Sequence, residues 1–358
     1  MRIFDYNPNL GTFSLGFEKF SENEVVEALN ISRDALYSYN YTHKRWFLPK
    51  IQNYMNISDY ELENNIDLAI LNPKINDKIA RKGASNFKID DILNCLEFLE
   101  REKPKFAVIT LPGEAIPLLN TAKNYVRDGF NELSKDLIIE KLQKMDYNPY
   151  LVALDEANYG IATHKHLGLY IATPLDFDLK FPIGLFNQFG RGKYQKFRSI
   201  KDAISDLGSL NEWSPYTSAA QNTYQRMLRY ASRDHTTWHF LPRRLKADQK
   251  ATISHIPQGS NAARTKNVKQ KRGYIKPKWD RICPSLDEKF YLTSSNAASL
   301  HPVHDRPFTM REAMRILGLP DNISFELSVS YKVLAGMVVR SVAPIIGQAV
   351  AIGVGAIH

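Results

Sequence analysis

The chain has 358 residues, 44% of them hydrophobic and 24% charged. That excludes a disordered tail and leaves room for one large domain and one smaller one. Its 47 Lys and Arg against 38 Asp and Glu give a formal net charge of +9, which favours a polyanionic partner. The two cysteines, Cys95 and Cys283, are too few for a disulfide framework and lack metal-site spacing, and a reducing cytoplasm fits them.

In chain order, the opening MRIFDYNPNLG lacks the apolar core of a signal peptide. Residues 1–5 read as a strand, residues 7–12 as a turn, and a helix starts at 13–20. A second strand is expected over 24–29 (EVVEAL) and a helix near 32–39. The apolar run 66–71 (IDLAIL) ends at Asn72-Pro73 and reads as a strand. Residues 90–102 place Ile92, Leu93, Leu96 and Leu99 on one helical face. Strand 106–111 (FAVITL) stops at Pro112-Gly113. A helix over 133–144 and strands over 150–154 and 167–173 follow. Strands alternating with helices imply a parallel sheet covered on both faces, with ligands at the strands' carboxyl ends.

Beyond Pro174 the periodicity weakens and basic residues gather. The clusters are Arg191, Lys193, Lys196, Arg198 and Lys201, then Arg243, Arg244 and Lys246, then Arg264, Lys266, Lys269, Lys271 and Arg272. The last has no acid inside it, which suits a phosphate backbone better than a merely solvated loop. Residues 338–357 carry one charge, Arg340, and approach membrane-spanning length. Pro344, three glycines and Gln348 favour a buried core helix instead.

The most specific stretch is 301–325, HPVHDRPFTMREAMRILGLPDNISF. Thr309 and Glu312 form a capping box, Ala313, Met314, Ile316 and Leu317 an apolar face, and Gly318 and Pro320 a stop. His-Pro, then Arg-Pro-x-Thr-x-Arg-Glu, then a helix ending Gly-Leu-Pro-Asp resembles the ninth motif of the cytosine-5 DNA methyltransferases. Weaker resemblances follow that family's order. Phe13-Ser-Leu-Gly16-Phe17 resembles its first motif, Glu24-Val-Val with Asp34-Ala-Leu the second, and Asp67-Leu to Pro73 the fourth. Lys103-Pro-Lys-Phe to Gly113 resembles the sixth, Asn158-Tyr159-Gly160 the eighth, and Tyr331 to Gly336 the tenth. The segments from Tyr224 and from Ile256 to Asn261 resemble parts of the recognition region.

The resemblance implies an α/β, S-adenosylmethionine-methyltransferase-like (Rossmann-like) sheet with a second, smaller target-recognition-like domain. The expected division is 1–178 for the large domain, 179–325 for the basic recognition domain, and 326–358 for a helix returning to the large domain. The functional positions depart from the family. The nucleophilic cysteine of its Pro-Pro-Cys-Gln motif falls on Ile75 and the base-holding glutamate on Ile109. The eighth motif reads Thr163-His-Lys165-His-Leu167, so Lys165 alone keeps its positive charge. The Phe-x-Gly-x-Gly-Gly turn reads Asn7-Pro8-Asn9-Leu10-Gly11-Thr12, the ribose-holding acid falls on Asn30, and Met337 follows Gly336 in place of asparagine.

No substitute nucleophile stands out. Lys74 is normally protonated, and Cys95 lies on the apolar side of a helix. The pairs His164/His166 and His235/His239 lack a third metal ligand. The expectation is a pseudoenzyme with no cofactor, no metal and no membrane. It would bind double-stranded DNA, or act as the silent partner of a DNA-modifying or restriction enzyme. The runner-up is an active enzyme with altered chemistry or a partner subunit, and a third reading is a protein-interaction scaffold. DNA contacts are expected from Lys165, Arg191, Lys193, Lys196, Arg198, Arg243, Arg244, Arg264, Lys266, Lys269, Lys271 and Arg272. Replacing Lys266, Lys269, Lys271 and Arg272 together by Ala should weaken duplex binding. Its logarithmic salt slope should flatten by about 0.9 for each phosphate no longer neutralised, measured by anisotropy across a salt series.

Overall fold

A computed structural model describes residues 1–20, 22–29, 32–43, 56–74, 90–113, 135–208, 213–216, 218–229, 236–238, 245–265, 273–291, 299–326 and 328–356. Its central sheet contains the six strands expected from the sequence: β1 (Arg2–Tyr6), β2 (Glu24–Leu29), β3 (Leu68–Leu71), β4 (Phe106–Pro112), β5 (Tyr147–Asp155) and β6 (His166–Pro174). Their order is β2-β1-β3-β4-β6-β5. The first four pair in parallel, whereas β6 runs antiparallel to both β4 and β5. The reversal departs from the all-parallel expectation. Only residues 156–165 separate β5 from β6, too short a link for a helical crossover, so the chain turns straight back.

Helices cover both faces. On one lie α1 (Thr12–Phe17) and α2 (Arg33–Thr42); on the other α3 (Asp90–Glu102) and α4 (Lys135–Lys144). Strand alternation sorts the side chains between the two cores. Phe106 and Val108 enter the first, and Ala107, Ile109 and Leu111 the second. The first core continues beyond the sheet through Ile200, Tyr224, Cys283, Phe290 and Phe308. It takes in α5 (Ile200–Ile204), α6 (Thr223–Arg229) and α8 (Met310–Ile316). A satellite core gathers Ile253 of α7 (Ala247–Ser254) with Ile256, Tyr274 and Leu300.

The apolar C-terminal stretch is buried, as expected, but it is two helices rather than one. These are α9 (Tyr331–Arg340) and α10 (Pro344–Gly353), separated by Ser341, Val342 and Ala343. The stretch Tyr331–Gly353 has the length and apolarity to cross a membrane, yet 72% of its most apolar window is covered by the rest of the protein. Helices α10 and α1 cross backbone to backbone. A Cβ on Gly347 would lie 2.1 Å from Phe13 O, and one on Gly16 2.1 Å from Pro344 O.

The 301–325 stretch folds as read. Thr309 Oγ1 accepts from Glu312 N, and Glu312 Oε2 accepts from Thr309 N. Gly318 takes a left-handed φ of 74° at the end of α8. A capped core helix does not by itself explain two wholly buried arginines. Arg315 Nε donates to Asp321 Oδ1 at 2.5 Å, and its Nη1 lies 3.3 Å from Asp206 Oδ1. Arg311 reaches the carbonyl of Ile323, and Arg229 pairs with Asp206 from the end of α6. Tyr216 donates to Asp321 while Arg229 stacks 3.6 Å above its ring. Burial alone would raise the Asp321 carboxyl, but the Arg315 guanidinium outweighs it and holds it below the usual range.

Three changes probe this architecture. Gly347→Ala should destabilise by about 1–3 kcal/mol in urea unfolding, because the new methyl has only backbone to displace. Arg315→Met should cost more, about 3–5 kcal/mol, since it leaves two buried carboxylates short of a partner. The third concerns His301, whose pKa burial lowers from 6.5 to about 4. The native ring stays neutral while the unfolded one gains a proton below pH 6.5. Its contribution is therefore complete above pH 6.5 and lost as pH falls toward 4, on the order of 3 kcal/mol. His301→Asn keeps an acceptor for the Val303 and His304 amides. The stability difference between the two proteins should narrow or reverse over that window in parallel urea titrations.

Candidate functional site

The turn at residues 7–12 leaves the carboxyl end of β1 and meets that of β3, where Asn7 Nδ2 donates to Asn72 O at 3.1 Å. This turn runs through three left-handed residues, only one of them a glycine. Asn7, Asn9 and Gly11 have φ of 49°, 57° and 69°. Asparagine tolerates the left-handed region better than other side chains, which lets Asn7 and Asn9 adopt it. Pro8 O accepts from Gly11 N at 2.8 Å, closing the turn.

The side chains at the two lost glycines are both engaged. Asn9 Nδ2 donates to Met337 O at 2.6 Å and to Ser341 Oγ at 2.9 Å. Thr12 Oγ1 donates to Val342 O at 2.6 Å. Both therefore tie the turn to the break between α9 and α10, where helix-end carbonyls need donors. Beneath the turn, His43 Nε2 lies 3.0 Å from Gly11 O, and its Nδ1 meets Glu18. Nearby, burial pushes the Asp5 carboxyl up to about 7, against the opposing pull of Ser14 and His43. Asn30, the ribose position, lies outside the described residues.

The ends of β3 and β4 correct one residue assignment. Ile109, placed by the resemblance on the base-holding glutamate, points into the second core and is 1% exposed. Its neighbour Thr110 faces the other way, and its hydroxyl donates to Asn72 Oδ1 at 2.6 Å. A strand reverses direction at every residue, so a one-residue slip in the sequence match exchanges core for site. The residue that meets the end of β3 is Thr110, and neither position carries an acid. Asn72 is fixed by donating to Tyr6 O, and Tyr6 OH donates to Asp91. Ile75, the nucleophile position, lies outside the described residues. Cys95 and Cys283 are fully buried, and desolvation pushes both thiols well above their ordinary pKa. No group of three or more potential metal ligands occurs among the described residues.

The basic residues divide by environment. Lys165 is turned inward, donating to Ser341 O and lying 3.7 Å from the buried Glu156. Arg198 is sandwiched between Phe186 and Tyr224, 4.9 and 4.8 Å from their ring centroids. Arg191, Lys193, Lys196 and Arg264 are exposed. Arg243, Arg244, Lys266, Lys269, Lys271 and Arg272 lie outside the described residues, as do His235 and His239. An open cleft of about 1020 Å³ runs from Gly113, just past β4, and His166, at the start of β6, to Phe181, Phe186 and Tyr194. The aromatic residues interleaved with the cations over 181–197 are a sequence signal that net charge alone passes over.

Comparison with known proteins agrees with this geometry. The chain is 23% identical over 360 residues to the type II methyltransferase M.DdeI of Desulfomicrobium norvegicum, covering 91% of this chain and 80% of that one. Among solved structures it resembles an E. coli prophage-encoded protein described as a DNA modification methyltransferase, with TM-score 0.72, 16% identity and coverage of 100% and 99% of the two chains. It also resembles the S. pombe Dnmt2 methyltransferase, with TM-score 0.61, 13% identity and 99% coverage of both. Residues 93–355 match the sequence profile of the C-5 cytosine-specific DNA methylases, and the chain belongs to that family.

Proposed function

We propose that this protein binds double-stranded DNA without methylating it, alone or as the silent partner of a DNA-modifying or restriction enzyme. The observation that carries the non-catalytic part is the burial of both thiols. The chain has only two cysteines, both sealed in the cores, and addition to a cytosine ring needs a reachable thiolate. Thr110 in place of an acid leaves the base without its holding group. The division into a sheet domain over 1–178, a basic domain over 179–325 and a returning segment over 326–358 belongs to the same reading. In it, the exposed Arg191, Lys193, Lys196 and Arg264 contact phosphates, whereas Lys165 and Arg198 hold the protein together.

S-adenosylmethionine does not fit the turn as it stands. Where glycines would leave bare backbone, the Asn9 and Thr12 side chains span to the 337–342 segment. One observation favours the runner-up, an enzyme with altered chemistry: the turn still curves tightly through three left-handed residues. Melting at high cofactor concentration separates the two readings, because a ligand of the native state alone must raise its stability. No shift is expected; a rise of several degrees would restore the cofactor site. Asn9→Gly and Thr12→Gly should each lower stability by about 1 kcal/mol, as loss of a tethering hydrogen bond does.

A methyl-transfer assay with labelled cofactor on mixed duplex DNA tests the chemistry. The unmodified protein and Ile75→Cys should both be inactive, because catalytic groups acting as a unit are not restored singly. Transfer by the unmodified protein would overturn the proposal.

A further inference from the structure

Residues 179–201 contain Lys180, Arg191, Lys193, Lys196, Arg198 and Lys201, with no acid among them. Part of this segment projects as a loop. β7 (Phe186–Asn187) pairs with β8 (Gln195–Lys196) and closes its base. The base is anchored twice. Arg198 is clasped between Phe186 and Tyr224, and Asn158 Nδ2 donates to Phe186 O at 3.0 Å. Beyond the base the chain is held in shape. Asn187 Oδ1 accepts from the amides of Phe189 and Gly190, at 2.9 and 2.7 Å. Gly190 and Gly192 take left-handed φ of 61° and 64°, and a Cβ on Gly190 would lie 2.8 Å from Lys196 N.

This shaped loop presents apolar side chains to solvent. Among the described residues, seven large hydrophobic side chains are exposed, and Ile183, Leu185 and Phe189 are three of them. Phe189 is 69% exposed, and the Arg191 guanidinium lies 5.8 Å from its ring centroid. A single exposed apolar residue needs no explanation, but three within seven positions of an acid-free basic segment, with Phe189 at the loop beyond its base, are an unusual exposure. The segment's charge selects a polyanion, and its aromatic tip suits one with stacked bases rather than a bare phosphate surface.

We propose that the 183–196 loop inserts Phe189 as a wedge between base steps of duplex DNA, while Arg191, Lys193 and Lys196 hold the flanking phosphates. The proposal rests on the DNA-binding reading above and adds the element that deforms the duplex. Partial unstacking is offset by the ring's burial and by the phosphate contacts made on either side.

The test uses the full chain and duplexes carrying 2-aminopurine, whose emission rises on unstacking. Wild type should raise the emission as it binds. Phe189→Ala should abolish the rise and weaken binding about tenfold, the scale of one aromatic–base contact, while leaving the salt slope unchanged. Phe189→Trp should restore binding, with quenching of its own emission. The triple variant Arg191→Ala, Lys193→Ala, Lys196→Ala should instead flatten the slope by about 0.9 for each phosphate released from its cation. Wild type that binds duplex equally well with and without Phe189, and without an emission change, overturns the wedge and leaves DNA binding standing. Wild type that binds no duplex at low salt overturns both. A dimer in sedimentation that Phe189→Ala abolishes, with DNA binding unaltered, would assign the loop to a second copy of this chain and also overturn the wedge.

Discussion

The break between the last two helices is where distant parts of the chain are joined. A continuous helix would turn its carbonyls along its own axis; interrupting it at Ser341–Ala343 opens those of Ser341 and Val342 to outside donors, while Met337 O, already bonded to Ser341 N, accepts a further one. Asn9 and Thr12 answer from the turn after β1, and Lys165 from the connection between β5 and β6. Both ends of the chain and the sheet's antiparallel edge are thereby tied to one short segment. The glycine-to-glycine crossing of α1 and α10 makes this geometrically feasible, since any side chain at Gly16 or Gly347 would drive the two helices apart.

That junction also bears on function. In a family whose turn carries glycines, backbone is left bare where this chain places Asn9 and Thr12. Both side chains donate to the α9–α10 segment, so the residues that stand where the family has glycines supply structural hydrogen bonds. The positive φ angles at Asn7, Asn9 and Gly11 give the turn a tight left-handed path.

The buried charges around α8 work differently. Arg311 and Arg315 face Asp206 and Asp321 without solvent, half-buried Arg229 joins them at Asp206, and Tyr216 donates to Asp321. Such a cluster is weak evidence for stability, because desolvation takes back much of the attraction. It is directional, however. Arg315 receives its partners only when α8, the end of α5 and the residues after Gly318 are correctly disposed, so it fixes how the 200–325 elements dock together. The specific wording of 301–325 thus reports a docking requirement, while the exposed 183–196 loop, joined to the same assembly through Tyr224 and Arg198, carries the chemistry aimed at solvent.

Hydrophobic periodicity and turn residues were enough to place the six strands, the first helices and the capped α8, because these depend on neighbours a few positions away. The placement of the family's cysteine position on Ile75 likewise came from residue types alone, through the resemblance. The strand direction of β6, the split of the C-terminal helix and the facing of Ile109 against Thr110 were decided in three dimensions. Each depends on what lies across the sheet or across the core, and sequence matching with a one-residue error cannot sense it. The same holds for the basic residues. Lys165, Arg191 and Arg198 are equivalent as charges in a string, but a carbonyl and two aromatic faces claim two of them, and only packing leaves Arg191 to the solvent.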